Sequence, residues 1–171
     1  MPAIAIGFIL TAIVGKSIGL GQLQRANKQT YLALKVIMSY MILMGIIYYL
    51  FRENFIKVFS DNPLVVEAGK VMLLFAAIFQ IFDALFITFS HALRGAGDTK
   101  FPALTLMSYS TLVLCGGGYF MVKQFPQFGA LGPWSMTTIY IGFLGLTLTA
   151  RWILGPWRKI NIFSYSSSSS T

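Results

Sequence analysis

Long apolar runs alternate along this chain with short polar stretches that are mostly basic. A bilayer core is about 30 Å thick, so a crossing helix needs about 20 mostly apolar residues. Residues 31–51, 71–93, 101–122 and 129–150 meet that length. The opening run, 2–15, is short. Carried past Lys16 to Leu20 it makes a first helix over 2–20. The pattern predicts an all-α, multi-pass transmembrane bundle. A chain that opens in mid-span also suggests that Met1 is an internal start or the edge of a fragment.

The polar stretches have structure of their own. Phe55, Ile56, Val58 and Phe59 interleave with Arg52, Lys57 and Asp61, as in a short amphipathic helix lying at an interface. Asn62-Pro63 ends it, because proline disfavours a helical residue before it. Trp134, Trp152 and Trp157 fall near the ends of spans, where indoles suit the headgroup region. Gly116, Gly117 and Gly118 lie inside the fourth run and mark a bend or tight packing, since glycine disfavours helix interiors by about 1 kcal/mol each. Residues 161–171 are Ser-rich and read as a disordered tail.

Composition removes the soluble alternative. Hydrophobic residues make up 56% of the 171 and charged residues 11%; mean hydropathy is +0.72. Soluble domains carry about 25% charged residues. The single cysteine, Cys115, excludes an intrachain disulfide and a cysteine metal site. A net charge of +8 would suggest nucleic acid in a soluble protein. Here the basic residues sit between apolar runs, so they set topology against anionic lipid and no nucleic-acid partner is expected. The odd connections and the tail hold nine Lys and Arg (Lys16, Arg25, Lys28, Lys35, Arg94, Lys100, Arg151, Arg158, Lys159), and the even connections hold four. The positive-inside rule places the odd side and the C-terminus in the cytoplasm, within a plasma (inner) membrane.

Asp83 is the residue of most chemical interest. It stands near the middle of the third run, where a charge costs at least about 2.5–3.5 kcal/mol on insertion scales. Acids in such places face a bundle interior or a wet cavity, where they bind cations or relay protons; the structural alternative is an Asp held by a neighbouring helix. At about 100° per residue, Gln80, Asp83, His91 and Arg94 fall in one arc with Ile87 between them. His91, near the end of the span, reads mainly as an interface histidine and secondarily as a proton shuttle.

Two connections hold glycine motifs. Residues 93–102 read Leu-Arg-Gly-Ala-Gly-Asp-Thr-Lys-Phe-Pro. They predict a tight turn, with Arg94 and Lys100 placed to meet lipid phosphates or Asp98, and Pro102 in the first turn of the next helix. Residues 14–21 read Val-Gly-Lys-Ser-Ile-Gly-Leu-Gly. The glycine that a P-loop needs before its spacer is absent, Leu10 and Thr11 standing there, so Gly15, Gly19 and Gly21 read as helix-packing residues. No catalytic triad, paired carboxylate or metal cluster appears in the sequence, and no enzyme activity or cofactor is expected.

The stretch 93–102 resembles the "LRG-x-GDT-x-x-P" signature of the multidrug and toxic compound extrusion (MATE) transporters. Residues 14–21 followed by Ala26 resemble that family's "VGQ-x-IG-x-G…A", with Lys16 where glutamine is usual. Phe82-Asp83-Ala84 resembles its acid-bearing tenth helix, and Gly129-Ala130-Leu131-Gly132-Pro133-Trp134 the "GA-x-GAW" that opens its last helix. The resemblance implies that residues 1–160 are a partial C-terminal lobe, from the end of helix eight to helix twelve, of a twelve-helix antiporter fold. The N-terminal lobe and helix seven would then be supplied from outside this sequence.

It further implies a secondary antiporter coupled to sodium ions or protons, exporting small organic compounds by alternating access. Asp83, with Gln80 beside it, would be the coupling site and the place for any sodium ion. Arg94, Gly95, Gly97, Asp98, Thr99, Lys100 and Pro102 would form the signature loop. The absence of Lys or Arg at mid-span favours a cationic or neutral cargo over the anionic one of a lipid-linked saccharide flippase. A membrane accessory subunit with no transport of its own is the third reading.

Overall fold

The computed structural model describes residues 2–59, 62–129 and 131–159. The Ser-rich stretch 161–171, Asp61 and Ala130 lie outside the described residues. The described chain forms helices α1 (Pro2–Gly19), α2 (Leu23–Leu50), α3 (Arg52–Lys57), α4 (Pro63–Gly95), α5 (Lys100–Tyr109), α6 (Gly118–Gln124) and α7 (Leu131–Leu154). A π-helical stretch, Ser110–Gly117, joins α5 to α6, and 3-10 turns occupy Pro126–Phe128 and Pro156–Lys159. Among the described residues five spans are long and apolar enough to cross a bilayer: α1, α2, α4, the composite Lys100–Gln124, and α7.

Several helices extend beyond their apolar runs. Hydropathy starts the second helix at 31, but α2 begins at Leu23, so two polar turns precede its apolar part. The third run starts at 71, but α4 begins at Pro63. Asn62 accepts a hydrogen bond from the Leu64 amide at 3.0 Å, and Pro63 fits the first helical position. Asn62-Pro63 thus starts α4, whereas α3 has already ended at Lys57. At 33 residues α4 is about 50 Å long, well over the thickness of a bilayer core. The last helix starts at Leu131, after Gly129 at φ +50°, and continues to Leu154. The glycine triplet meets the end of the π-helical stretch, and a Cβ on Gly117 would come 3.0 Å from Met136 Sδ of α7.

The short helix α3 folds back onto the start of α4. Glu53 bridges Lys57 at 2.7 Å and Lys70 at 3.0 Å. The Lys57 hydrogen bond, followed by that of Lys70, holds the Glu53 carboxyl at about 2, so it is ionised down to strongly acid pH. Ile56 fills the space over Gly69.

The central helix is α4. It packs against α1 and α2 on one side and α7 on another, and the short loop 96–99 joins it to α5. One core cluster joins Leu10 and Val14 of α1, Phe89 and Leu93 of α4, and Leu144 and Leu148 of α7. A second joins Ala3, Ile37, Met41, Ala84 and Ile87. The outer surface exposes Phe8, Leu32, Leu43 and Leu112, side chains suited to lipid. Trp134 is part-exposed near a span end, but Trp152 and Trp157 depart from the interfacial expectation. They are buried and stacked at 4.2 Å, because Gly155 at φ +75° turns the chain back and lets Trp157 Nε1 donate to the Trp152 carbonyl at 2.9 Å.

Lipid gives helices no hydrophobic reason to associate, so backbones must approach closely. At Gly145 of α7 a Cβ would come 2.8 Å from the Phe82 carbonyl oxygen of α4, whereas at Gly142 the nearest atom would be 3.9 Å away. Gly145→Ala should therefore lower the thermal unfolding temperature of the detergent-solubilised chain, by an overpacking cost of about 1–3 kcal/mol. Gly142→Ala, one turn away, should leave it unchanged or raise it. Equal effects at the two positions would show that the α4–α7 contact is looser than the structure has it.

Candidate functional site

The loop between α4 and α5 is built from its glycines. Gly97 has φ +85°, which glycine adopts without strain. Its amide donates to the Arg94 carbonyl at 3.0 Å, and the Asp98 amide donates to the Leu93 carbonyl at 2.9 Å. These two bonds close the end of α4 as a Schellman cap. Gly95 does different work: a Cβ there would come 2.5 Å from the Thr11 carbonyl oxygen of α1. Gly15 meets the same crossing, its Cβ position 3.3 Å from the Gly95 carbonyl oxygen. Gly19 is exposed. Gly21, expected to pack, instead makes the α1–α2 turn at φ +72° with open space around it.

The cap directs Asp98 inward, where it is 5% exposed. Its Oδ2 accepts from Arg151 Nε of α7 at 2.9 Å. The Arg151 guanidinium lies over the Phe101 ring, 4.4 Å from its centroid. The partners expected within its own loop, Arg94 and Lys100, are exposed and are not the ones that Asp98 uses. Pro102 is fully buried in the first turn of α5. The loop is therefore a clamp that ties the α4–α5 hairpin to the end of α7. Sequence reasoning counted Arg151 only as a topological charge. Its signal was an arginine in the last turn of a span, at the end of the bundle that also holds a buried-loop acid.

The polar arc on α4 is divided by its neighbours. His91 is buried at the α1 crossing, its ring over Gly7 and edge-on to Phe8, with ring centroids 4.9 Å apart. Thr11 Oγ1 lies 3.1 Å from His91 Nδ1, 3.1 Å from the His91 carbonyl oxygen and 3.2 Å from the Gly7 carbonyl oxygen. The hydroxyl has one proton and serves only one of these acceptors at a time; which partner donates between Oγ1 and Nδ1 is set by the imidazole tautomer. Ile87 joins the core beside Ala84, and Arg94 is exposed. Thr11 and Gly7 were not singled out from sequence, because a threonine and a glycine in an apolar run carry no signal until the opposing helix is known.

Asp83 is half-buried, and among the described residues its carboxylate has no hydrogen bond or ion pair. Gln80, one turn earlier, is also half-buried and likewise makes no side-chain hydrogen bond among them. The two occupy neighbouring positions on one helix, and α7 crosses α4 at the adjoining Phe82. Asp83 is twelve residues from Gly95, about 18 Å along the axis and close to half a bilayer core from the clamp end. His91 is about 12 Å further along and committed to Thr11, so it is not part of an Asp83 site. Among the described residues there is no group of three or more His, Cys, Asp or Glu placed to hold a metal ion. Any cation at Asp83 would need further oxygen donors from Gln80, backbone carbonyls, water or another part of a larger assembly.

The chain as a whole is similar to known proteins. A family model described as MatE matches residues 1–117. "Probable multidrug resistance protein NorM" of Thermotoga maritima is 31% identical over 160 residues, covering 93% of this chain and 34% of that protein. "Multidrug resistance protein MdtK" of Proteus mirabilis is 30% identical over 149 residues, covering 86% of this chain and 32% of that one. A solved structure titled "Crystal structure of eukaryotic MATE transporter AtDTX14" superposes with a TM-score of 0.81 at 25% identity, over 92% of this chain and 35% of that chain. The chain thus spans about a third of the length of the relatives it matches.

The clamp can be tested by a double-mutant cycle. Asp98→Asn and Arg151→Gln should each destabilise the folded chain by about 1.5–3 kcal/mol, the range for a hydrogen bond to a charged group. The double variant should cost clearly less than the sum, since both single changes break one bond. Additive losses, read from thermal unfolding in detergent, would mean that the two residues act separately.

Proposed function

This chain belongs to the MatE family, whose members are transporters rather than enzymes, and we propose that it forms part of a secondary antiporter that exports organic compounds by alternating access, with Asp83 as its ion-coupling group. The observation that carries this reading is a carboxylate without a partner among the described residues, deep in a membrane span, beside the crossing of two helices. A structural acid in lipid would be expected to hold a neighbouring helix, as Asp98 holds Arg151. Asp83 keeps its oxygens available, which suits an ion that must bind and leave. Gln80 adds an amide oxygen one turn away. Transport needs no covalent step from these residues. Ion binding at Asp83 would alter the charge at the α4–α7 crossing, and the helices would rearrange around it while an organic cargo is released. The coupling ion is a sodium ion or a proton, and the cargo is cationic or neutral, since no Lys or Arg lies at mid-span.

The same reading puts the clamp, the α1–α2 turn and the C-terminus in the cytoplasm, with α3 on the outer side. The nine-to-four bias of basic residues supports it. Cysteines introduced at Thr99 and Phe59, both exposed, test it in a Cys115→Ser background. A membrane-impermeant maleimide added to intact cells should label position 59 and leave position 99 unlabelled. The reverse pattern would invert the topology.

Asp83→Asn, placed in a full-length transporter of the family containing this segment, keeps the side-chain size and removes the titratable charge. Drug efflux should fall about ten-fold or more, the scale of a coupling free energy between ion and drug sites, with the amount in the membrane unchanged. Gln80→Ala should reduce it less. Efflux measured against pH and against sodium identifies the ion whose dependence disappears in Asp83→Asn. Unchanged efflux at equal expression would remove Asp83 from coupling.

A further inference from the structure

At the clamp end, α1 and α2 leave a cavity of about 400 Å³ lined by Ile13, Lys16, Ser17, Leu20, Arg25 and Gln29. Its chemistry is divided. Ile13 and Leu20 give an exposed apolar wall on the bilayer side of the turn. Lys16 and Arg25 give two exposed cations from opposite helices, and neither has an acidic partner among the described residues. The first connection holds no acid at all; the nearest acids in the sequence on α1–α3 begin at Glu53, beyond the far end of α2. Ser17 donates to Gln29 Oε1 at 2.8 Å, which fixes the floor and joins the two helices. Arg25 donates from Nη1 to Gln22 at 3.1 Å, and its four remaining N–H donors are open to another acceptor.

We propose that this cavity binds one anionic phospholipid of the surrounding leaflet, with its phosphate between Lys16 and Arg25 and an acyl chain along Ile13 and Leu20. Three observations converge on that occupant. Two uncompensated cations at a span end match a phosphate in charge and depth. An apolar wall continuous with the lipid-facing surface suits an acyl chain and offers nothing to a free anion. The turn at Gly21 and the Ser17–Gln29 bond hold the two helices in register, so the cations are placed before a lipid arrives. The proposal is independent of what the transporter carries. The assigned topology determines only that the leaflet is the cytoplasmic one, which is the anionic one.

The test is lipid retention by the full chain, reconstituted in nanodiscs of phosphatidylcholine and phosphatidylglycerol and then released into mild detergent for native mass spectrometry. Wild type should carry phosphatidylglycerol in preference to phosphatidylcholine. Lys16→Gln and Arg25→Gln should each lower that preference about five-fold, the contribution of one basic residue beside an anionic lipid. Lys16→Arg should keep it, and Lys123→Gln, a basic residue at the other end of the bundle, should leave it unchanged. Leu20→Ser keeps both cations and should also weaken retention, because the acyl wall is lost. All the substituted side chains are exposed, and helical content by circular dichroism checks that each variant is folded. Equal retention of the two lipids by wild type would overturn the proposal, as would equal losses in Lys16→Gln and Lys123→Gln. Binding of inorganic phosphate by the lipid-free chain without any phosphatidylglycerol preference would reassign the cavity to a free anion and overturn it as well.

Discussion

Helices in a bilayer must be held together by contact, because lipid is as apolar as the side chains they would bury. In this chain that requirement falls on α4. Its two partner faces each contain a point where only a glycine fits: Gly95 against the Thr11 backbone of α1, and Gly145 of α7 against the Phe82 backbone of α4. The first point brings α1 near enough for Thr11 to reach His91, and the second draws α7 across the neighbour of Asp83. The remaining spans are arranged around these crossings. The composite fourth span packs on α7 and only briefly on α4, and its π-helical stretch coincides with that secondary position.

The polar groups inside the bundle divide by whether they have partners. Thr30, Thr88, Thr105 and Thr149 return their hydroxyls to carbonyls one turn back, so they cost the helix nothing in unsatisfied groups. His91 and Asp98 are bonded to other helices and hold them in register. Asp83 and Gln80 follow neither pattern. Within one helix, partnered polar side chains near the clamp end give way to partnerless ones near the middle. That contrast is the physical basis for separating a structural acid, Asp98, from a candidate coupling acid, Asp83, although both are aspartates of the same element and its loop.

Charge is distributed along the bundle in the same two-part way. The clamp end carries most of the basic residues, and among the described residues only Asp98 there answers any of them, with Arg151. The opposite end carries Glu53 with Lys57 and Lys70, a compensated group that fastens a short helix to a long one.

The sequence by itself determined that the chain is an all-helical membrane protein, with four runs of spanning length and a first that reaches it only when extended to Leu20, because length and apolarity of a run suffice when every backbone group must be bonded within its own helix. It also pointed to the turn at Gly97 and to Asp83, since a glycine pair before an aspartate and a lone mid-span acid are local signals. It misplaced the starts of α2 and α4, because an N-cap and polar helical turns outside the apolar run leave no mark on hydropathy. Which residue answers Asp98, whether His91 belongs with Asp83 and whether Trp152 faces lipid were decided only by the tertiary structure. Those answers depend on Arg151, Thr11 and Trp157, and on helix crossings set by single missing Cβ atoms. A side chain's partner on another helix is fixed by the depth and angle of that crossing, and one chain's periodicity does not contain either.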